Sequence, residues 1–286
     1  MNVRMKRTVF WIGALLLVAI TVCVAQRRGG GRFRGFQESN GSLPEWSNDP
    51  EFEKDVFAFA RIRYTSSGGR WGWGRGGWYT DAPDADINFG FRLQQLTSLK
   101  VYPHETDIEL TSPELFNYPF IYIVEPGALE FSDEEVKILR RYLLNGGFLM
   151  VDDFWGDAEW QNFYEQIKRV FPDREPFDLP MDHPVFHCVF DLGKVKNKLQ
   201  VPNINTGTES QYTGITWEMN HVGNTRDVHI RGILDDKNRL MVIMCHNTDN
   251  GDGWEREGEN EYFFREFSEK KAYPLGINII FYAMTH

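Results

Sequence analysis

The sequence predicts an α/β protein, and three features in the middle of the chain predict it. Residues 120–124 form a short run of apolar, aromatic and β-branched side chains, which is typical of a buried strand. A helix follows, because Ser132 and Glu135 make a capping box and Gly146-Gly147 supplies a stop. A second apolar run, residues 148–151, comes directly after the helix. Two buried strands joined by one helix lie parallel, with a right-handed crossover between them.

The N-terminus has the layout of an export signal. Three positive residues lie within the first seven positions, and an apolar run follows at residues 9–25. Cys23 and Ala25 place small side chains at positions −3 and −1 of a cleavage site before Gln26. We therefore expect residues 1–25 to be a signal peptide and the protein to be periplasmic or extracellular. The alternative is an uncleaved inner-membrane anchor, although the run is short for a spanning helix.

After the signal, the composition changes once. Residues 26–50 are rich in Gly, Arg, Ser and Asn and show no periodicity, so we expect a flexible arm there. Residues 51–286 contain no internal repeat or linker, and the chain as a whole is 42% apolar. That composition suffices for one full core, which predicts a single domain over residues 51–286.

The charge of the chain excludes one class of partner. The formal net charge is −10, and the seven Lys and Arg residues before residue 37 leave −17 for residues 37–286. A domain this acidic repels phosphate groups, so we expect no nucleic-acid binding. Two cysteines remain after the signal, Cys188 and Cys245, and the sequence leaves open whether they form a disulfide.

The other elements follow in order from the pattern of apolar side chains and breakers. Residues 56–64 alternate like a first strand, and residues 66–78 are a glycine-rich loop with three indoles. We predict mostly loop at residues 172–225, a polar loop at 246–260 and a helical turn at 261–267. The remaining predictions are a helix at 85–99, a short strand at 100–102, a helix at 159–171, a C-terminal β-hairpin of strands 228–234 and 239–245, and a closing helix at 273–284.

Several stretches resemble one family of exported bacterial proteins, the domain-of-unknown-function family numbered 4159. They cover residues 52–286 and comprise Phe59-Ala-Arg-Ile-Arg-Tyr64, Tyr118-Pro-Phe-Ile-Tyr-Ile-Val-Glu-Pro-Gly127, Leu143-Leu-Asn-Gly-Gly-Phe-Leu-Met-Val-Asp-Asp-Phe-Trp-Gly156, His183-Pro-Val-Phe186 and Ala272-Tyr-Pro-Leu-Gly-Ile-Asn-Ile-Ile280. The resemblance implies a flavodoxin-like three-layer sandwich with a mostly parallel central sheet, similar to class I glutamine amidotransferase domains. It implies no reaction, because the family has none established.

The amidotransferase comparison can be tested on the residues. Those enzymes place a cysteine on the tight turn after a strand and activate it with a later His-x-Glu pair. Here we expect Asp152 and Asp153 on the corresponding turn, and no histidine is followed two residues later by Glu. Glutaminase chemistry is therefore not expected.

Polar side chains should gather at the carboxyl ends of the strands, where open parallel sheets bind ligands. One interpretation is a polar-ligand site or acid–base pair, and another is a divalent cation held by oxygen ligands, with zinc admitted by His246. The third is structural: these acids cap helices and pair with Arg61, Arg63 or Arg92. We assign no metal ligands and expect no cofactor. The candidate residues are Tyr64, Ser66, Ser67, Glu125, Asp152, Asp153, His246, Asp249 and Asp252.

Asp152 and Asp153 are neighbours, and neighbours on an extended strand point to opposite sides, so we expect at most one of them to face the site. Other signals are weaker. His183 and His187 have the spacing of a helical metal pair, but Pro184 argues against a continuing helix, so a structural role is favoured. Cys245 next to His246 has poor geometry for a nucleophile and its base.

The glycine-rich loop adds a recognition element. Its indoles, Trp71, Trp73 and Trp78, could stack on sugar rings, rest at a membrane interface or fold back as a lid. We favour a non-catalytic exported domain that binds an envelope protein or a glycan through the sheet edge and this loop. The alternative is a hydrolase of cell-envelope carbohydrate with Glu125 and Asp152 or Asp153 as acid and base, which requires two carboxyl groups facing one cleft.

Overall fold

A seven-stranded, mostly parallel sheet runs through the structure, a computed structural model that describes residues 43–52, 55–66 and 77–286. These residues all belong to one compact unit. The strands are β1 (Ala60–Arg63), β2 (Thr65–Ser66), β3 (Thr106–Glu109), β4 (Phe120–Val124), β5 (Leu129–Glu130), β6 (Phe148–Phe154), β7 (Phe177–Asp178), β8 (His229–Leu234) and β9 (Leu240–His246).

Helices pack on both faces of this sheet. Short 3₁₀ turns occur at Pro50–Phe52, Pro113–Asn117, Pro126–Ala128, Pro184–Phe186 and Lys196–Leu199, and a π-helical segment spans Phe264–Ala272. The α-helices are α1 (Asp84–Leu96), α2 (Asp133–Leu144), α3 (Gly156–Val170), α4 (Ile204–Thr213), α5 (Asn250–Glu255), α6 (Glu261–Phe263) and α7 (Tyr273–Thr285).

The strand order confirms the predicted fold class. The sheet reads β3-β1-β4-β6-β9-β8-β7; the first five strands are parallel, and β8 pairs antiparallel with both β9 and β7. In chain order the parallel strands stand as 2-1-3-4-5, which is the flavodoxin order. Strands β8 and β9 form the predicted C-terminal hairpin. Strands β2 and β5 pair separately as a small antiparallel ribbon.

Both faces of the sheet are covered, which explains why the central strand β4 is apolar without interruption. Along β4, Phe120, Tyr122 and Val124 pack with α1, α5 and α7, whereas Ile121 and Ile123 pack with α2 and α3. All five side chains are fully buried. This alternation between two cores is the three-layer sandwich that parallel sheets require.

The helix between β4 and β6 begins as its sequence predicts. The Ser132 hydroxyl accepts the amide of Glu135, and the Glu135 carboxylate accepts the amide of Ser132, so the capping box is complete. Gly146, at φ 106°, takes the chain out of α2 into β6.

Other predictions were wrong in detail. Residues 100–102 make only an isolated bridge, Phe57 to Val101, and the strand that flanks β1 is β3, whose single buried apolar side chain, Ile108, produces no recognisable pattern. Residues 246–260 are not a loop, because α5 lies within them. The mostly loop region 172–225 contains α4, and helical structure runs from Glu261 through the π segment to Thr285.

Within the described part of the chain, none of the helices combines the length and apolar character needed to cross a membrane.

Candidate functional site

The site forms where the order of the parallel strands reverses, between β1 and β4. From β1 the chain proceeds to β3 on one side, and later strands add on the other, so the carboxyl ends of β1 and β4 open a crevice. The buried Tyr64, directly after β1, places its hydroxyl 2.8 Å from the carbonyl oxygens of both Val124 and Glu125. This contact joins the two strand ends, and burial raises the pKa of Tyr64 well above its usual value.

Five carboxyl groups meet beside this crevice, and we call them the acidic cluster: Asp81, Glu125, Asp153, Asp249 and Asp252. Four of them come from predicted site residues. Asp81, on the approach to α1, is the member that the sequence analysis did not single out. One oxygen atom each of Asp81, Asp249 and Asp252 lie within 4.8 Å of one another.

Burial and mutual repulsion hold these groups toward their neutral forms. Burial, followed by repulsion from nearby carboxylates, raises the pKa of Asp81, Asp153 and Asp249 well above the usual value. Burial raises the pKa of Glu125 to about 7 against hydrogen bonds from Thr80 and Gly77. Neighbouring carboxyl groups in a poorly solvated space cannot all be ionised at once unless a cation compensates their charge. Without such a cation, some of them keep a proton.

The local backbone is unusual where the cluster forms. Asp81, Glu125 and Asp153 have φ values of 63°, 46° and 54°, and Asn247 at the end of β9 has 62°. Residues other than glycine adopt this region rarely and at a cost of about 1–3 kcal/mol each. Packing and hydrogen bonds around the cluster therefore hold the backbone in place.

Asp152 belongs to the same edge but has a different environment. Its carboxylate accepts hydrogen bonds from Tyr122 Oη at 3.2 Å, Asn250 N at 2.9 Å, Asn250 Nδ2 at 2.7 Å and Gly251 N at 3.2 Å. Burial raises its pKa to about 7, although these bonds act in the opposite direction. Asp152 anchors the first turn of α5 to β6.

The prediction that Asp152 and Asp153 lie on a turn after the strand was wrong. Strand β6 continues to Phe154, and its pairing with β9 shifts register between Val151 and Phe154. Asp153 leaves the extended conformation at this irregularity, so simple alternation does not decide its direction. Its carboxylate accepts a hydrogen bond from Trp155 Nε1 at 3.0 Å, and both neighbours are buried.

The three arginines considered as partners for these acids bind elsewhere. Arg61 is buried with Asp86 at 2.6 Å and also donates to the carbonyl oxygens of Trp78 and Thr80. Arg63 pairs with Asp107 and Glu109, and Arg92 pairs with Glu257. Within the cluster, Asp249 caps α5 by accepting the Asp252 amide at 2.7 Å. Arg256 bonds the Asp252 carboxylate at 3.3 Å.

His246 lies among aromatic rings, not among the carboxylates. Its Nε2 donates to the carbonyl oxygen of Gly156 at 2.9 Å, and its Nδ1 accepts from Arg231 at 3.0 Å. Its ring stacks on Phe154 and His229. Burial is the main reason that its pKa falls to about 3. Both nitrogens are occupied, so the zinc site suggested for His246 is not supported.

The other predicted site residues are dispersed. Ser66 is exposed in β2, and Trp78 is half-buried against the core, with its ring edge-on to Tyr79. Ser67, Trp71 and Trp73 lie outside the described residues.

The weaker sequence signals have structural roles. His183 caps the 3₁₀ turn Pro184–Phe186 by accepting the Val185 amide, and His187 contacts Asp191. Cys188 and Cys245 are free thiols, so they do not form a disulfide in this structure.

A polar pocket opens at the same edge, beside the carboxyl end of β9. This Trp217 pocket has a volume of about 330 Å³ and is lined by Asn197, Gln200, Thr216, Trp217, Arg226 and Asp227. The Arg226 guanidinium lies over the Trp217 ring, 4.6 Å from its centre. Gln200 Nε2 donates to the carbonyl oxygen of Asn247 at 3.1 Å, and Gln200 Oε1 accepts the Thr216 hydroxyl at 2.8 Å.

The segment that carries Trp217 is held against the first turns of α3 by His221. Its ring lies 2.7 Å from Glu159 on α3 and 3.3 Å from Glu218. These two carboxylates raise the pKa of His221 to about 9 against the effect of burial. Glu218 in turn accepts hydrogen bonds from the backbone and side chain of Asn203. These contacts connect the segment that carries Trp217 to α3 and to the start of α4.

Sequence reasoning missed Trp217 and Arg226, which lie in the region predicted as mostly loop. An indole with a basic residue nine positions later, in a stretch rich in Asn, Thr and Gly, was the only signal present. Their contact depends on the fold of residues 214–227 and could not be derived from that spacing.

One family model, described as Domain of unknown function (DUF4159), matches residues 58–284. No curated protein matches the chain.

Proposed function

The chain belongs to the DUF4159 family of domains of unknown function, and from this starting point we propose that it is an exported, non-catalytic domain that binds a saccharide at the carboxyl-end edge of its sheet. The Trp217 pocket is the observation that carries this proposal. It combines an aromatic ring with amide, hydroxyl, guanidinium and carboxylate groups, which together suit the apolar face and hydroxyl groups of a sugar.

The contacts within the pocket favour recognition over loose packing. Gln200 is 2% exposed, and its side chain is fixed by the Asn247 carbonyl oxygen and the Thr216 hydroxyl. Asn197 is held by the Val228 amide, which donates to its Oδ1 at 3.1 Å. Side chains held in place lose little freedom on binding, so such a site reaches higher affinity than a mobile one.

Export is proposed from the N-terminal segment. The positive residues, the apolar run at 9–25 and the small residues before Gln26 support secretion followed by cleavage. Envelope saccharides and envelope proteins are the ligands that this compartment offers.

The test is a glycan array followed by calorimetry with the saccharides retained. Trp217→Ala should weaken binding about 5- to 150-fold, because an indole under a sugar ring contributes about 1–3 kcal/mol. Phe116→Ala is the matched control, since Arg141 lies over the Phe116 ring at the same 4.6 Å, in a second cavity lined by Phe116 and Tyr118. Unchanged binding by Trp217→Ala would contradict the proposal, as would the absence of any saccharide ligand.

Hydrolysis of envelope carbohydrate is the alternative, and one observation favours it. The raised pKa of Glu125, about 7, is suited to a general acid. Asp153 would be its partner, because Asp152 is fully occupied by hydrogen bonds. Release of reducing ends from the bound saccharide, abolished by Glu125→Gln, would establish a hydrolase and overturn the non-catalytic proposal.

A further inference from the structure

We propose that Asp81, Asp249 and Asp252 form a binding site for a hard divalent cation, with Ca²⁺ as the best match. This inference does not rest on the proposed saccharide binding, because it concerns other side chains and is tested with the metal alone.

The geometry is that of a coordination shell. One carboxylate oxygen from each residue lies within 4.8 Å of the other two. Ca²⁺ binds oxygen at about 2.3–2.6 Å, so ligand atoms on opposite sides of the ion stand about 5 Å apart. The smaller Mg²⁺ binds oxygen at about 2.0–2.1 Å, so it would require the three oxygen atoms to lie within about 4.2 Å of one another. The ligands are all oxygen atoms, which disfavours softer metals.

A second observation points to a ligand between these residues. Asp81 Oδ2 is buried and has no hydrogen-bond partner. It points into the turn that carries the other two carboxylates, because a Cβ placed on Gly251 would lie 2.1 Å from this oxygen and 3.5 Å from Asp249 Oδ1. The completely buried Asn250, in the same turn, also has an unpartnered Oδ1. Orphaned buried acceptors cost about 1–3 kcal/mol each unless an ion or a donor reaches them.

Among the residues that the structure describes, the nearby arginines do not balance this charge. Arg256 divides its contacts among Asp252, Glu255 and Glu259. Arg61 is bound to Asp86, and its other hydrogen bonds go to the carbonyl oxygens of Trp78 and Thr80. The carboxyl groups of Glu125 and Asp153 lie beside the three ligands and add to the repulsion whenever they are ionised. A bound divalent cation would offset this repulsion directly.

The site is also built on fixed elements. Asp249 caps α5, and Asp252 Oδ2 accepts the Ile204 amide at 2.6 Å, so both carboxylates are held by backbone groups. Asp152 holds the same turn through Asn250 and Gly251. Asp81 alone approaches from the other side, ahead of α1. Cation binding would therefore join the approach to α1 to the first turn of α5.

The experiment titrates the EDTA-treated full chain with CaCl₂, and in parallel with MgCl₂ and MnCl₂, by calorimetry and thermal unfolding. At about one hundred times the Kd, the cation should raise the Tm by about 5–10 °C. Asp81→Asn should weaken binding at least tenfold. Asp249→Asn should also weaken cation binding at least tenfold, while its amide oxygen can still cap α5. This variant provides a second test in case Asp81→Asn does not fold.

Asp236→Asn is the control, because this highly exposed acid lies at the opposite end of β9 and pairs only at the surface with Arg174. It should bind as the wild type does. The proposal is overturned when none of the three cations binds the wild type at millimolar concentration. It is also overturned when NaCl of equal ionic strength raises the Tm as much, or when both ligand variants keep wild-type affinity.

Discussion

Glu125 directly follows β4 and Asp152 lies in the neighbouring strand β6, and the two acids differ in how their oxygen atoms are satisfied. Asp152 receives hydrogen bonds from backbone and side-chain donors of α5 and from Tyr122. Glu125 is bonded by Thr80 and Gly77, but its Oε2 has no partner. Asp152 is thus part of the structural framework, whereas Glu125 resembles a group kept available for a proton, a cation or a ligand.

This contrast predicts opposite effects of neutralising the two side chains. Burial raises the pKa of Glu125 from 4.5 to about 7, so the folded state binds its proton more tightly than the unfolded state does. The resulting stability is complete below about pH 4.5 and is lost as pH rises through 7. In metal-free protein at pH 8, Glu125→Gln should raise the free energy of unfolding by about 1–3 kcal/mol, with little change at pH 5.

Urea unfolding in EDTA at both pH values measures this effect. Asp152→Asn is the comparison, because an amide NH₂ placed against the donors of Asn250 and Gly251 should destabilise the protein at both pH values. An equal loss of stability at pH 5 and pH 8 for Glu125→Gln would show that its carboxyl group is as fully satisfied as that of Asp152.

At the scale of elements, the N-terminus of α3 joins the wall of the Trp217 pocket to the sheet. The amide groups of Asp157 and Ala158 donate to the carbonyl oxygen of Val222 at 2.8 and 3.3 Å. Gly156 permits this approach, since it has φ 73° and a Cβ there would lie 2.4 Å from the same oxygen. The position of residues 214–227 therefore depends on a glycine at the start of α3.

Gly156→Ala should consequently destabilise the protein more than a second glycine-to-alanine substitution does. The second glycine should have the same positive φ but no neighbouring atoms where the added Cβ would lie. Gly193 is that control, because its φ is 75° and no atom lies within 4 Å of its added Cβ. Gly193→Ala should cost about 1–2 kcal/mol for backbone strain alone. Gly156→Ala should add about 1–3 kcal/mol for the collision.

Chemical unfolding gives the two values, and saccharide binding to the folded Gly156→Ala protein reports whether the pocket wall has moved. Equal losses in the free energy of unfolding for the two variants would show that residues 214–227 move away from the added methyl group at no measurable cost.

The prediction of helices and strands succeeded where a local sequence pattern determines the element. It failed where contacts with residues distant in the sequence determine it. The capping box of α2 and the apolar strands β4 and β6 are local and were predicted. Helix α5 was predicted as loop, because its buried polar residues are explained only by distant partners such as Asp152 and Ile204. The same holds for Asp81, whose place in the acidic cluster depends on the packing of α1 against α5.

At the scale of the whole molecule, the fold class could be predicted from the sequence. For the site, the sequence predicted only its place at the carboxyl ends of the strands and not the arrangement of its side chains. Right-handed crossovers between buried strands determine which ends of β1, β4, β6 and β9 meet, so the convergence of carboxylates follows from topology. The depth of their burial does not, because it depends on how residues 77–86 and α5 close over the edge. This is why the sequence predicts the acids at the carboxyl ends of the strands but does not predict that they are largely enclosed.

The N-terminal segment carries the last prediction, which concerns the whole chain in its cell. Cleavage before Gln26 would remove three positive residues and change the formal net charge from −10 to −13. Intact-mass spectrometry of the protein recovered from the envelope should show a chain that begins at Gln26. Ala25→Arg, which places a large charged residue at position −1, should leave the segment attached and the protein membrane-associated. Wild-type protein that keeps Met1 in the membrane fraction would instead identify residues 9–25 as an anchor.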